Sequence, residues 1–141
     1  MMRPIRIFYS IIALLIIAVL FAVLPESSFM LHAQKPDKEH HLSIIKMKKG
    51  WKVVDAADTT KSTIVVDKGD KIIWTAYGSK VYMQFLDQKL VGKYTHVIDS
   101  GEEFRVTVGN LAKKGPNPYA VFCLADLEFA TGDSPPKIVV N

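Results

Sequence analysis

The chain contains one cysteine, Cys123, at the end of the apolar run "YAVFC". A thiolate can ligate a soft metal or act as a nucleophile, and either role needs partners. The histidines after residue 33 are His40, His41 and His96. Adjacent imidazoles at His40 and His41 can hold copper or zinc, but two donors without a third make a poor site. They read first as solvated residues. His96, in "YTHVID", reads as a surface or hydrogen-bonded side chain, or as a ligand partnered with Cys123. Asp126, Glu128 and Asp133 lie in the stretch "LADLEFATGDSPP". Paired carboxylates can run general acid–base chemistry. No nucleophile, basic partner or phosphate-cradling glycine pattern accompanies these three, so solvated loop residues are expected. Ser134 precedes Pro135-Pro136 without the glycine-flanked elbow of a nucleophilic serine, and reads as a turn. A free cysteine closing an alternating apolar run reads first as a small core hydrophobe. No catalytic, cofactor-binding or metal site is assigned at this level.

The elements that would position these residues are short. Candidate strands are Leu42–Lys48, Trp51–Val54, Ser62–Val66, Lys71–Ala76, Lys80–Leu86, Tyr94–Asp99, Glu103–Val108, Tyr119–Cys123 and Lys137–Val140. They are rich in Val, Ile and aromatics and are separated by Gly, Asp, Asn and Lys turns. In "KVYMQFL", Val81, Met83 and Phe85 alternate with Tyr82 and Gln84. In "EFRVTV", Phe104, Val106 and Val108 alternate with Arg105 and Thr107. A period of two means one buried face and one wet face. No helix of useful length is expected after residue 41. Strands at this spacing predict an all-β sandwich.

The head of the chain has a different composition. Arg3 and Arg6 precede an uncharged apolar run from Ile7 to Leu24, and Glu26 follows it. At about 18 residues, the run lies between a signal-peptide core and a membrane-spanning helix. Its flanking charges put the N-terminus inside and everything downstream outside. Ala33, in "FMLHAQ", offers a cleavage position, so a removed signal peptide and a retained anchor both stay open. No cysteine directly follows the run, so a lipoprotein-type anchor is not expected. Residues 1–33 are therefore read as signal or anchor helix. Residues 34–41, "QKPDKEHH", are read as a flexible linker, and residues 42–141 as one folded domain. The predicted location is the periplasm or the outer face of the cytoplasmic membrane.

The formal net charge is +4, with lysines interspersed among Asp and Glu. Charge so spread reads as a solvated surface, and export removes nucleic acid as a partner. A single cysteine makes no internal disulfide, so export does not imply a disulfide scaffold.

The pieces "KGDKIIW", "GEEFRVTV", "YAVFC" and "KIVVN" occur in this order. Together they resemble the cupredoxins, above all the plastocyanin-like ones, over most of residues 62 to 141. The resemblance implies a Greek-key β-sandwich of seven or eight strands, with copper at one end in the loop before the last strand. The family's site uses two histidines, a cysteine thiolate and a weak axial methionine, a set that suits both copper oxidation states. By the resemblance, the first histidine falls on Val81 or Tyr82, the second on Asp126, and the methionine near Thr131. No methionine follows Met83. Of the four ligands only Cys123 remains, and the loop is about three residues longer than a plastocyanin-like one.

The expectation is a cupredoxin-like domain without copper and without enzymatic activity, binding an unidentified envelope protein. It touches the membrane through its N-terminal segment if that segment is uncleaved. The alternative is a periplasmic copper electron carrier with an altered site that uses Cys123 with His96, Asp126 or Met83. A third reading is metal trafficking through His40, His41 or methionines. An end that has lost copper must be refilled, and Tyr82 and Phe129 have the size for it. If Tyr77, Tyr82 and Phe129 are exposed instead, they form an aromatic patch suited to a partner. Trp74 belongs to the same group of aromatics.

Overall fold

A computed structural model describes residues 37–133 and 135–141. The expected signal or anchor helix (1–33) and Ser134 lie outside the described residues. Among the described residues no helix is long and apolar enough to cross a membrane.

Among the described residues, ten strands form two sheets. β1 (Glu39–Met47), β2 (Gly50–Asp55), β4 (Lys71–Ala76) and β7 (Glu103–Thr107) make the first, in the order β2-β1-β4-β7. β3 (Ile64–Val66), β10 (Lys137–Val140), β8 (Gly115–Cys123), β5 (Val81–Phe85) and β6 (Thr95–Ile98) make the second, in that order. β9 (Glu128–Phe129) pairs with β8. β1 with β4 and β3 with β10 are parallel, so both sheets are mixed. The all-β sandwich stands, with ten strands in place of seven or eight.

Alternation decides which side chains meet between the sheets. Leu42, Ile44, Val53, Ile72, Trp74 and Phe104 point inward from the first sheet; Val81, Met83, Phe85, Tyr119, Val121, Cys123 and Ile138 do so from the second. Trp74 stands at the centre. It stacks on Phe104 at 5.5 Å between ring centroids and meets Phe85 and Tyr119 edge-on, each at 5.8 Å. Its indole Nε1 donates to Tyr119 Oη at 3.2 Å. Burial holds the Tyr119 hydroxyl far above its ordinary range, with the Trp74 bond pulling the other way.

Three differences from the predicted elements have physical causes. β1 begins at Glu39, not Leu42, so His40 and His41 lie in a sheet rather than in a linker. Their polar side chains give no apolar period; the strand is imposed by pairing with Ile72 and Ile73 of β4. β8 begins at Gly115, and its prolines mask it. Pro116 and Pro118 lie below the last β5 partner, Phe85↔Tyr119, while β10 pairs on the opposite side. The missing amides therefore face an unpaired edge, where proline costs no ladder bond. A four-residue helix, α1 (Gln88–Val91), joins β5 to β6. Asp87 caps it by accepting from Lys89 N at 2.8 Å. Gly109 packs against α1 so closely that a Cβ there would lie 2.1 Å from Lys89 O.

Candidate functional site

The alternation of β8 turns Tyr119, Val121 and Cys123 inward, and the register sets Cys123 opposite Val81. Both side chains are fully buried. Burial, and then the carboxylates of Asp126 and Glu128, push the Cys123 thiol up to about 11. A thiol so placed stays protonated at neutral pH.

The long stretch after Cys123 is a hairpin. Residues 124–127 turn, with Leu127 in the left-handed region at φ 55°. β9 then returns along β8, pairing Glu128 with Cys123 and Phe129 with Phe122. The chain next crosses to the other sheet. Thr131 N donates to Trp51 O at 2.9 Å, and Val53 N donates to Thr131 O at 2.9 Å. The position expected for an axial ligand is thus committed to the edge of β2.

Asp126 is an exposed turn residue, as expected, and it also has two partners across the sandwich. Trp51 Nε1 donates to its Oδ2 at 2.6 Å, and Lys46 Nζ lies 2.8 Å from the same oxygen. The bond from Lys46, then that from Trp51, hold the Asp126 carboxyl below its usual range, and Lys46 is raised in return. Ser79, only 3 % exposed, fixes the other flank of the turn. Its Oγ accepts from Ala125 N at 3.0 Å and donates to Lys80 O at 2.7 Å. Sequence reasoning missed Lys46, Trp51 and Ser79 because their partners are distant along the chain.

The histidines lie elsewhere. His96 is opposite Met83, two strands and two positions away from Cys123, and its ring stacks on Phe104 at 3.8 Å. Burial, then nearby Lys93, lowers its pKa. His40 Nε2 is 3.0 Å from Asp70 Oδ2, and His41 approaches Glu39 at 3.9 Å. Both sit near the start of β1, whereas Lys46 and Trp51 mark its far end, roughly 20 Å away at the rise of a strand. Glu128 is exposed, and Asp133 accepts from Thr63 Oγ1. Among the described residues no three of His, Cys, Asp and Glu converge as a metal would require. The residues around Cys123 do not fit a trigonal copper site. Val81 offers no donor, Asp126 is engaged by Trp51 and Lys46, and Thr131 is bound to β2.

The aromatics divide differently from the expected refilling. Trp74 is core, but Tyr77, Tyr82 and Phe129 are 53 %, 50 % and 64 % exposed. Tyr82 is out of register with the inward set, and Phe129 pairs with outward Phe122. Opposite Cys123 stands the buried Val81 instead. On the outer face of the second sheet, Val97, Tyr82, Phe122 and Phe129 form one row across four strands. Phe122 and Phe129 meet edge-on at 5.0 Å. Beside this row runs a shallow groove of about 200 Å³, lined by Gln84, Leu86, Pro118, Tyr119, Ala120 and Pro135. The outer face of the first sheet is different: the ion pairs Glu39–Lys71 and Glu103–Arg105 lie across it.

No protein-family model matches the chain, and no curated protein matches it. Among solved structures it is similar to a reduced Cu(I) form of an amicyanin variant at pH 4, with 17 % identity and a TM-score of 0.43. It is also similar to the Cu(I) structure of a second amicyanin variant, with 17 % identity and a TM-score of 0.45. Each alignment covers 77 % of this chain and 88 % of the amicyanin chain. The copper named for those proteins is not carried over to this one.

Proposed function

We propose that this chain is an exported, copper-free cupredoxin-like domain that acts as a non-enzymatic binding module in the cell envelope. The observation that supports it most is the outer face of the second sheet, where Tyr82, Leu86 and Phe129 are 50 %, 73 % and 64 % exposed. Contiguous apolar surface of this kind marks an interaction site. The absence of copper is supported by Asp126, whose carboxylate is already bound by Trp51 and Lys46. Export is supported by Arg3 and Arg6 ahead of the apolar run.

The test is a photo-crosslinking amino acid placed in the full chain in living cells. At Gln84, on the apolar face, it should give a discrete adduct. At Arg105, on the charged face, it should give none. Equal labelling from both positions, or none from Gln84, overturns the reading. Export is checked separately with a phosphatase fused after residue 60, which should be active; an inactive phosphatase with an active cytoplasmic reporter at the same point rules export out.

A further inference from the structure

The chemistry of the apolar face names its occupant, and we infer that it is a second copy of this chain, packed face to face about a two-fold axis. This inference rests on the binding-module reading.

A two-fold interface brings one patch against itself, so the patch must not repel its own image. Among the described residues, the outward strand positions of the second sheet carry one charge, the half-buried Lys137. The row Val97, Tyr82, Phe122 and Phe129 is uncharged. Charges return at the margin, where Lys80 pairs with Asp99 at 2.9 Å. An uncharged aromatic centre inside a polar rim is the anatomy of a protein interface. The first sheet's outer face cannot serve in the same way. There Ile73 is buried beneath charged neighbours, with Lys71 and Arg105 on either side of it.

The patch also has the right size and relief. Strands about 4.8 Å apart, five across and about five residues long, give a projected area of roughly 400 Å². With its corrugation, the accessible area approaches the ~800 Å² per partner of a standard interface. Protruding side chains and a recess occur on the same face: Tyr82 and Phe129 stand out, and the groove floored by Pro118 and Ala120 lies beside them. A face with both can fit its own image, with the two sheets stacked about 10 Å apart.

Two versions of the full chain with different tags are expressed in the same cells, with the photo-crosslinker at Gln84. The expected product carries both tags, and it is absent when the crosslinker is at Arg105. Phe129→Glu, and separately Tyr82→Glu, should reduce that product at least tenfold while the chain still accumulates, because truncated aromatic anchors dominate interface losses and a tenfold change is about 1.4 kcal/mol. An adduct of Gln84 to a different chain, with no doubly tagged product, overturns the second copy and leaves the binding module standing. No adduct at all overturns both. A doubly tagged product insensitive to both substitutions overturns the assignment of this face.

Discussion

Trp51 and Asp126, 75 positions apart, meet in a 2.6 Å hydrogen bond from the indole Nε1 to the carboxylate. This bond ties the turn after Cys123 to the hairpin between β1 and β2, and so joins the two sheets at that end. Trp51 is 3 % exposed, so its N–H has little access to water as a replacement acceptor.

Asp126→Ala should therefore lower the denaturation midpoint, read by tryptophan fluorescence. Lys46→Ala should change it much less, because an exposed ion pair contributes little. Equal effects would show that the ion pair, not the indole bond, holds the turn.

Copper should give no intense thiolate band with the unmodified protein. The register sharpens a restoration test. Val81 faces inward opposite Cys123, and Tyr82 faces out. Val81→His with Asp126→His should then produce copper–thiolate absorbance, and Tyr82→His with Asp126→His should not. Stoichiometric blue copper in the unmodified chain would falsify the copper-free proposal.

Cys123 should react slowly with a thiol reagent at pH 8 in the native state and quickly after denaturation, since the folded thiol titrates only near 11. Cys123→Ala should cost about 1 kcal/mol through a small cavity. Fast native labelling would place the thiol at the surface.

Asp70, 4 % exposed, should contribute to acid stability at the other end of the sandwich. Burial alone would raise its pKa. Bonds from Asp67 N at 2.9 Å, from His40 at 3.0 Å and from Lys38 N at 3.1 Å outweigh burial and hold it low. A carboxyl lower in the folded than in the unfolded state stabilises the fold above its unfolded pKa, about 3.9. That stability is lost as pH falls from there through the folded value. Asp70→Asn should destabilise the protein by about 1–3 kcal/mol at pH 7 by mismatching donors. It should also flatten the pH dependence of stability below about pH 4. An unchanged acid limb in the variant would assign that limb to other carboxyls.

The strands were largely legible in the sequence, because a period of two is a local property. Val81, Met83 and Phe85 announce which side of β5 is buried, and the same alternation ends on Cys123 as a core residue. What escaped was set by pairing. His40 and His41 carry no apolar signal, and only the register with β4 makes them strand residues. Pro116 and Pro118 hide the start of β8, and only the early end of β5 makes them tolerable.

At the Cys123 end, the sequence by itself determined that no histidine stands at Asp126, at Val81 or at Tyr82, the positions where the cupredoxin resemblance expects the pair. Only the tertiary structure decided what those residues do instead. Asp126 binds an indole brought to it by the β1–β2 hairpin, and Val81 lies buried opposite the thiol. For Tyr82 and Phe129 the sequence left two fates open, core filling or exposure, because size and polarity suit both. Strand register settled the matter: a side chain one position out of phase with its buried neighbours emerges on the opposite face of the sheet.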